Sequence, residues 1–143
     1  MAFTAIPAAS TMYFNYLLTH EFGHFFGLNE EYQGGGRTEL EYAPEMAEPW
    51  SQNITFLTDK RYDKLKWNTF VNKNMPLPTP HAKWRENPPT YGAYQGGYAD
   101  SVSSKGRSHI PGLSCTMEAQ KHFCDICRKG IEDVVRYSTG QSR

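Results

Sequence analysis

The sequence predicts an α+β fold dominated by helices, and three stretches predict it. Residues 11–26 are apolar almost without interruption, with Tyr13, Leu17, His20 and His24 near one stripe, as expected of a buried helix. Tyr91 to Tyr98 alternates aromatic and small residues, which suits a strand or hairpin arm with close backbone approach. Towards the end Phe123, Cys127, Ile131 and Val134 recur near helical spacing and predict a helix over about 118–137. A chain of 143 residues suits one domain, so 1–143 is read as a single unit.

The first helix follows Ile6-Pro7, which reads as extended chain because the residue before proline avoids the helical region. Ser10 or Thr11 can cap it, and Gly27 can stop it, since glycine enters the left-handed region without a Cβ penalty. The chain then passes Gly34-Gly35-Gly36, a flexible loop, and Pro44 and Pro49, which keep residues 43–53 irregular. Asn53-Ile54-Thr55 is a formal N-glycosylation sequon, read here as a chance occurrence. Lys64 to Trp67 can end a short helix, and the prolines of residues 72–90 predict a packed loop.

Composition excludes several functions. Apolar residues are only 38% of the chain, so its nine Tyr, eight Phe and three Trp must build much of the core. Net charge is zero without a basic block, which gives nucleic acid no electrostatic footing. No apolar run approaches the ~20 residues of a membrane helix. Residues 1–9 lack a basic start, so no cleavable signal peptide is expected within the chain, and the compartment stays open. Cys115, Cys124 and Cys127 are odd in number, so at most one internal disulfide can form.

Chemistry concentrates in His20-Glu21-Phe22-Gly23-His24. Residues four apart share a helix face, so His20 and His24 can grip one zinc ion. Glu21 then faces the metal's open position as a general base, the H-E-x-x-H arrangement of zinc peptidases. Glu30 stands where metzincins place their third ligand, three residues after the glycine, and a carboxylate is a competent zinc ligand. Met117, just before the last helix, stands in the order of the metzincin methionine turn, here about 115–117. The fold expectation is therefore a metzincin-like zincin domain.

These residues lie within a longer likeness. His20 to His24 with Gly27-Leu28-Asn29-Glu30-Glu31-Tyr32 resembles the H-E-F-G-H…G-L-A-D-E-Y of bacterial IgA-specific metalloendopeptidases. Glu48-Pro49-Trp50, Lys66-Trp67, Gly92 to Tyr98, Gly106-Arg107 and Cys115 to Cys127 are similar to later segments of that family, in the same order. The resemblance covers most of residues 15–130 and implies a zinc endopeptidase acting on protein or peptide substrates, in a secreted or extracytoplasmic setting. It departs at Glu30, where the family has Asp, at Gln95, where it has Glu, and at Asp125, where it tends to have Pro.

Other candidates are weighed against this set. Glu31 is the rival to Glu30 and is expected to face away or buttress the loop. Glu39, Glu41 and Glu45 could serve a thermolysin-type site. His81, His109 and His122 are expected on the surface or in loops. The three cysteines with His122 could form a second zinc site, but a disulfide or buried thiols are preferred. Tyr94 and Tyr98 are assigned to packing. The expected function is zinc-dependent hydrolysis of peptide bonds, with His20, His24 and Glu30 on the metal and Glu21 as base. The alternative is a zinc-binding fragment without catalysis. The family has strands ahead of the zinc helix and only about ten residues precede it here, so most of that sheet is expected to be missing, leaving the helix a bare apolar flank.

Overall fold

The computed structural model describes residues 11–32, 48–56, 62–80, 90–97, 108–112, 115–119 and 122–141. Glu39, Glu41, Glu45, His81, Tyr98 and the triglycine lie outside them. Two helices dominate, α1 (Thr11–Phe25) and α2 (Asp125–Ser138), with a two-stranded sheet of β1 (Tyr94–Gln95) and β2 (His109–Ile110) between them in the chain. The described architecture is a small α+β one.

α1 ends in a Schellman motif. Leu28 N–H donates to the Gly23 carbonyl at 3.1 Å and Gly27 N–H to the His24 carbonyl at 2.9 Å, which satisfies two orphan carbonyls of the last turn. Gly27 has φ +78°, and a Cβ there would lie 2.3 Å from the Trp50 ring, so conformation and space both demand glycine. The same helix leaves Met12, Leu18, Phe22 and Phe25 exposed, Phe25 at 84%. A bare apolar flank is what its nearly all-round apolar sequence leads one to expect.

β1 and β2 pair antiparallel, Tyr94 opposite Ile110 and Gln95 opposite His109. Single bridges add Thr55 beside His109 and Thr79 beside Tyr94, so four segments lie side by side. This corrects the expectation for His109, which is not a surface residue: its backbone sits between Thr55 and Gln95 and it is buried. Tyr94 is core, its hydroxyl donating to the Thr90 carbonyl at 2.8 Å, and packs with Ile54 and Ile110. The main core gathers Leu28, Leu65, Trp67, Val71, Met117 and Ile126, with Trp67 Nε1 donating to the Gly92 carbonyl at 2.7 Å. Two 3₁₀ turns, Tyr62–Lys64 and Asn68–Phe70, flank Trp67 in place of the short helix expected to end there.

α2 starts at Asp125 rather than near Glu118. Glu118 and Ala119 N–H groups both donate to the Cys115 carbonyl in a turn, and Thr116 N–H donates to His122 O at 2.9 Å, so this stretch folds on itself. Cys124 caps the helix, with its sulfur accepting from Cys127 N–H. Asp125 then stands in the first turn, where its charge suits the helix dipole. Its carboxylate also accepts from the Tyr91 hydroxyl at 3.0 Å, and Asp125 N–H donates back to that oxygen at 3.2 Å.

Candidate functional site

α1 places His20 and His24 one turn apart, and the two rings meet edge to face with centroids 4.7 Å apart. His20 Nδ1 lies 3.0 Å from the Thr116 carbonyl, and His24 Nδ1 lies 2.8 Å from the Leu28 carbonyl. A carbonyl only accepts, so each Nδ1 carries the proton and donates it. In the neutral rings both Nε2 atoms are therefore bare lone pairs, and they stand 3.1 Å apart. Two lone pairs so close repel each other unless a cation or a proton lies between them.

That arrangement fits a metal. Two imidazoles on one tetrahedral zinc hold their nitrogens about 3.3 Å apart. Metal-binding histidines also commonly donate the other ring N–H to a carbonyl or carboxylate, which fixes tautomer and ring orientation. Here the Schellman turn supplies the Leu28 carbonyl, and the turn before α2 supplies that of Thr116. His20 is buried and His24 half-buried. Glu30 Oε1 comes within 4.0 Å of His24 Nε2, both side chains about one quarter exposed. Glu21, on the same helix, is exposed. The structure thus brings His20 and His24 together, with Glu30 at the edge of His24 and less tightly placed than the two rings.

Met117 lies beneath α1. A Cβ built on Gly23 would come 2.5 Å from Met117 Sδ and 3.0 Å from the Phe123 ring, so the glycine between the two histidines is where the helix rests on this turn. Glu31 N–H donates to the Met117 carbonyl at 2.8 Å, fastening the loop that bears Glu30 to the same turn. On its other side Asn53 holds that loop. Its Oδ1 accepts from Asn29 N–H at 3.0 Å, and its Nδ2 donates to Asn29 O at 2.7 Å and to Glu31 Oε1 at 3.0 Å. Asn53 is in turn set by Lys66, whose ammonium donates to the carbonyls of Pro49, Ser51 and Ile54 and pairs with Glu48 at 3.1 Å. Burial lowers the pKa of Lys66, while Glu48 works against that shift.

Tyr32 is a neighbour of the pair to which the sequence assigned no role. The Tyr32 ring stands 5.9 Å from that of His20; its place two residues after Glu30 was the available signal. Glu31 turns away from the histidines into the protein and is 1% exposed. There it meets Cys127 Sγ at 3.2 Å, in a group completed by Cys115 and Cys124. Burial pushes the Glu31 carboxyl well above the usual carboxylate range. His122, expected on the surface or in a loop, is exposed and outside that group. The thiols are free rather than joined in a disulfide.

No helix among the described residues is long and apolar enough to cross a membrane. No curated protein matches the chain. Residues 1–87 and 85–135 match the family described as IgA Peptidase M64.

Proposed function

The chain belongs to the IgA Peptidase M64 family, and from that premise we propose that it is a zinc-dependent metalloendopeptidase with a metzincin-like catalytic domain over residues 1–143. A peptidase family implies protein substrates, and its metallopeptidase character implies a metal cofactor. His20, His24 and Glu30 hold the zinc. One observation carries the assignment: the two bare Nε2 atoms 3.1 Å apart, each ring fixed by an Nδ1–carbonyl hydrogen bond.

Zinc, when bound, lowers the pKa of a coordinated water towards ~7 and polarises the scissile carbonyl. Glu21 accepts a proton from the attacking water and delivers one to the leaving amine. His20 and His24 keep their Nδ1 protons throughout, because Thr116 O and Leu28 O are fixed acceptors. Met117 packs beneath α1 and makes no bond to the metal.

The test is Glu21→Gln in the full chain, with zinc content and peptide hydrolysis measured side by side. Zinc is retained and hydrolysis falls by about 10²-fold or more, the low end of general acid–base contributions. Loss of zinc along with activity would remove Glu21 from the role of base. Zinc bound by a wild-type chain that cleaves no peptide would favour the non-catalytic alternative.

A further inference from the structure

Beside the histidine pair lies a second group of ligand-type side chains, fully inside the protein. Glu31, Cys115, Cys124 and Cys127 are all buried, and one ligand atom from each lies within 4.8 Å of every other. Cys115 Sγ and Cys127 Sγ are 3.5 Å apart, and Cys127 Sγ is 3.2 Å from Glu31 Oε1. Around a tetrahedral zinc, thiolate sulfurs stand about 3.8 Å apart and a sulfur and a carboxylate oxygen about 3.5 Å. We propose that these four side chains form a second, structural zinc site, closed and without catalytic water.

Three observations support it beyond the clustering. Glu31 Oε2 is buried without a hydrogen-bond partner, although Oε1 accepts from Asn53 Nδ2. A buried carboxylate oxygen with nothing to bind is costly, and a cation beside it removes that cost. Next, the sulfurs receive backbone N–H groups: Cys124 N–H points at Cys115 Sγ and Cys127 N–H at Cys124 Sγ, each at 3.5 Å. Such donors steady thiolates that already share a metal's charge. Finally, Cys124 and Cys127 have C-x-x-C spacing across the first turn of α2, whose dipole favours negative charge at that end. Three thiolates and one carboxylate around a divalent cation leave a net charge of −2, the balance of a four-cysteine zinc site.

A disulfide satisfies the geometry less well. Joining Cys115 to Cys127 would leave Cys124 and the Glu31 carboxyl buried beside it with no ionic partner. The metal instead ties together three segments that hold the peptidase site: the loop of Glu30, the turn of Met117, and the start of α2. Its existence does not depend on zinc at His20 and His24.

The experiment uses the full chain with His20→Ala and His24→Ala combined, purified and loaded first with zinc and then with cobalt. We expect about one metal per chain to remain after both histidines are gone. The cobalt form should show intense thiolate-to-metal charge-transfer absorption in the near ultraviolet, and its thiols should resist a disulfide reagent until chelator is added. Cys127→Ser in that background should abolish or shift the band. A double-histidine variant free of metal, a cobalt spectrum without the thiolate band, or an intact mass two hydrogens short would each overturn the proposal. Because the peptidase-site ligands are absent, failure here is distinct from failure of the catalytic assignment.

Discussion

Met117 Sδ occupies the space that a side chain on Gly23 would need. The residue between the two histidines is thus fixed by a methionine 94 positions later, and α1 and the turn below it are cut to one another. Gly23→Ala should therefore destabilise the fold, although alanine is the better helix former. Overpacking costs of about 1–3 kcal/mol are usual and exceed the ~1 kcal/mol gained from helix propensity. Met117→Leu should cost below ~1.5 kcal/mol. Pairing Gly23→Ala with Met117→Ala should recover part of the loss. Urea unfolding of the wild type, Gly23→Ala, Met117→Ala and the double variant measures the coupling, and strict additivity would show that the two residues do not share space.

Glu30→Ala should weaken zinc at the histidine pair by at least about 10- to 100-fold, the range seen when only second-shell partners are lost. A competitive chelator titration in a Cys127→Ser background reads this site alone. Unchanged affinity would mean that the third ligand lies elsewhere, with Glu41 the next to try.

Asn53→Ala should loosen the loop that bears Glu30. It strips partners from Asn29 N–H, Asn29 O and Glu31 Oε1 at once. Buried polar groups left unsatisfied cost about 1–3 kcal/mol each, partly relieved where water enters. A lower melting temperature together with weaker zinc binding is expected. Loss of stability with metal affinity untouched would make the clamp merely structural.

Tyr91 supplies a pH dependence. Burial, with a further push from Asp125, raises its phenol from the ordinary 10.0 to about 12. The folded state thus favours the protonated form. Its stabilising contribution is whole below pH 10 and is lost as pH rises towards about 12. Tyr91→Phe should flatten that part of the stability curve and remove one high-pH phenol from the ultraviolet titration. An identical alkaline limb in the variant would place the effect on another group.

The histidine pair was legible in the sequence because it is local: residues four apart on one helix have no choice but to meet. Gly27 was legible for the same reason, since helix stops are made within one turn. That Glu31 turns away was legible too, but its partner Cys127 was not, because it is 96 positions away and only the packed chain brings them together. The start of α2 was misplaced because Phe123 continues the apolar period backwards. That residue lies instead outside the helix, where its ring packs against Gly23. His109 reads as a loop histidine because the strand that buries it is two residues long, too short to leave a period.

The buried amide of Asn53 also bears on how this protein can be produced. Asn53-Ile54-Thr55 is a glycan acceptor sequence, and oligosaccharide is attached to such sequences in surface positions of secreted chains. In the folded protein Asn53 is 0% exposed and its amide nitrogen is already committed to Asn29 and Glu31. A sugar tree added while the chain is still unfolded could not be carried into that position. A eukaryotic secretory host would therefore compete with folding at this one residue, whereas a bacterial cytoplasm would not. Conversely, any glycan found on Asn53 marks molecules that never closed the loop beneath Glu30.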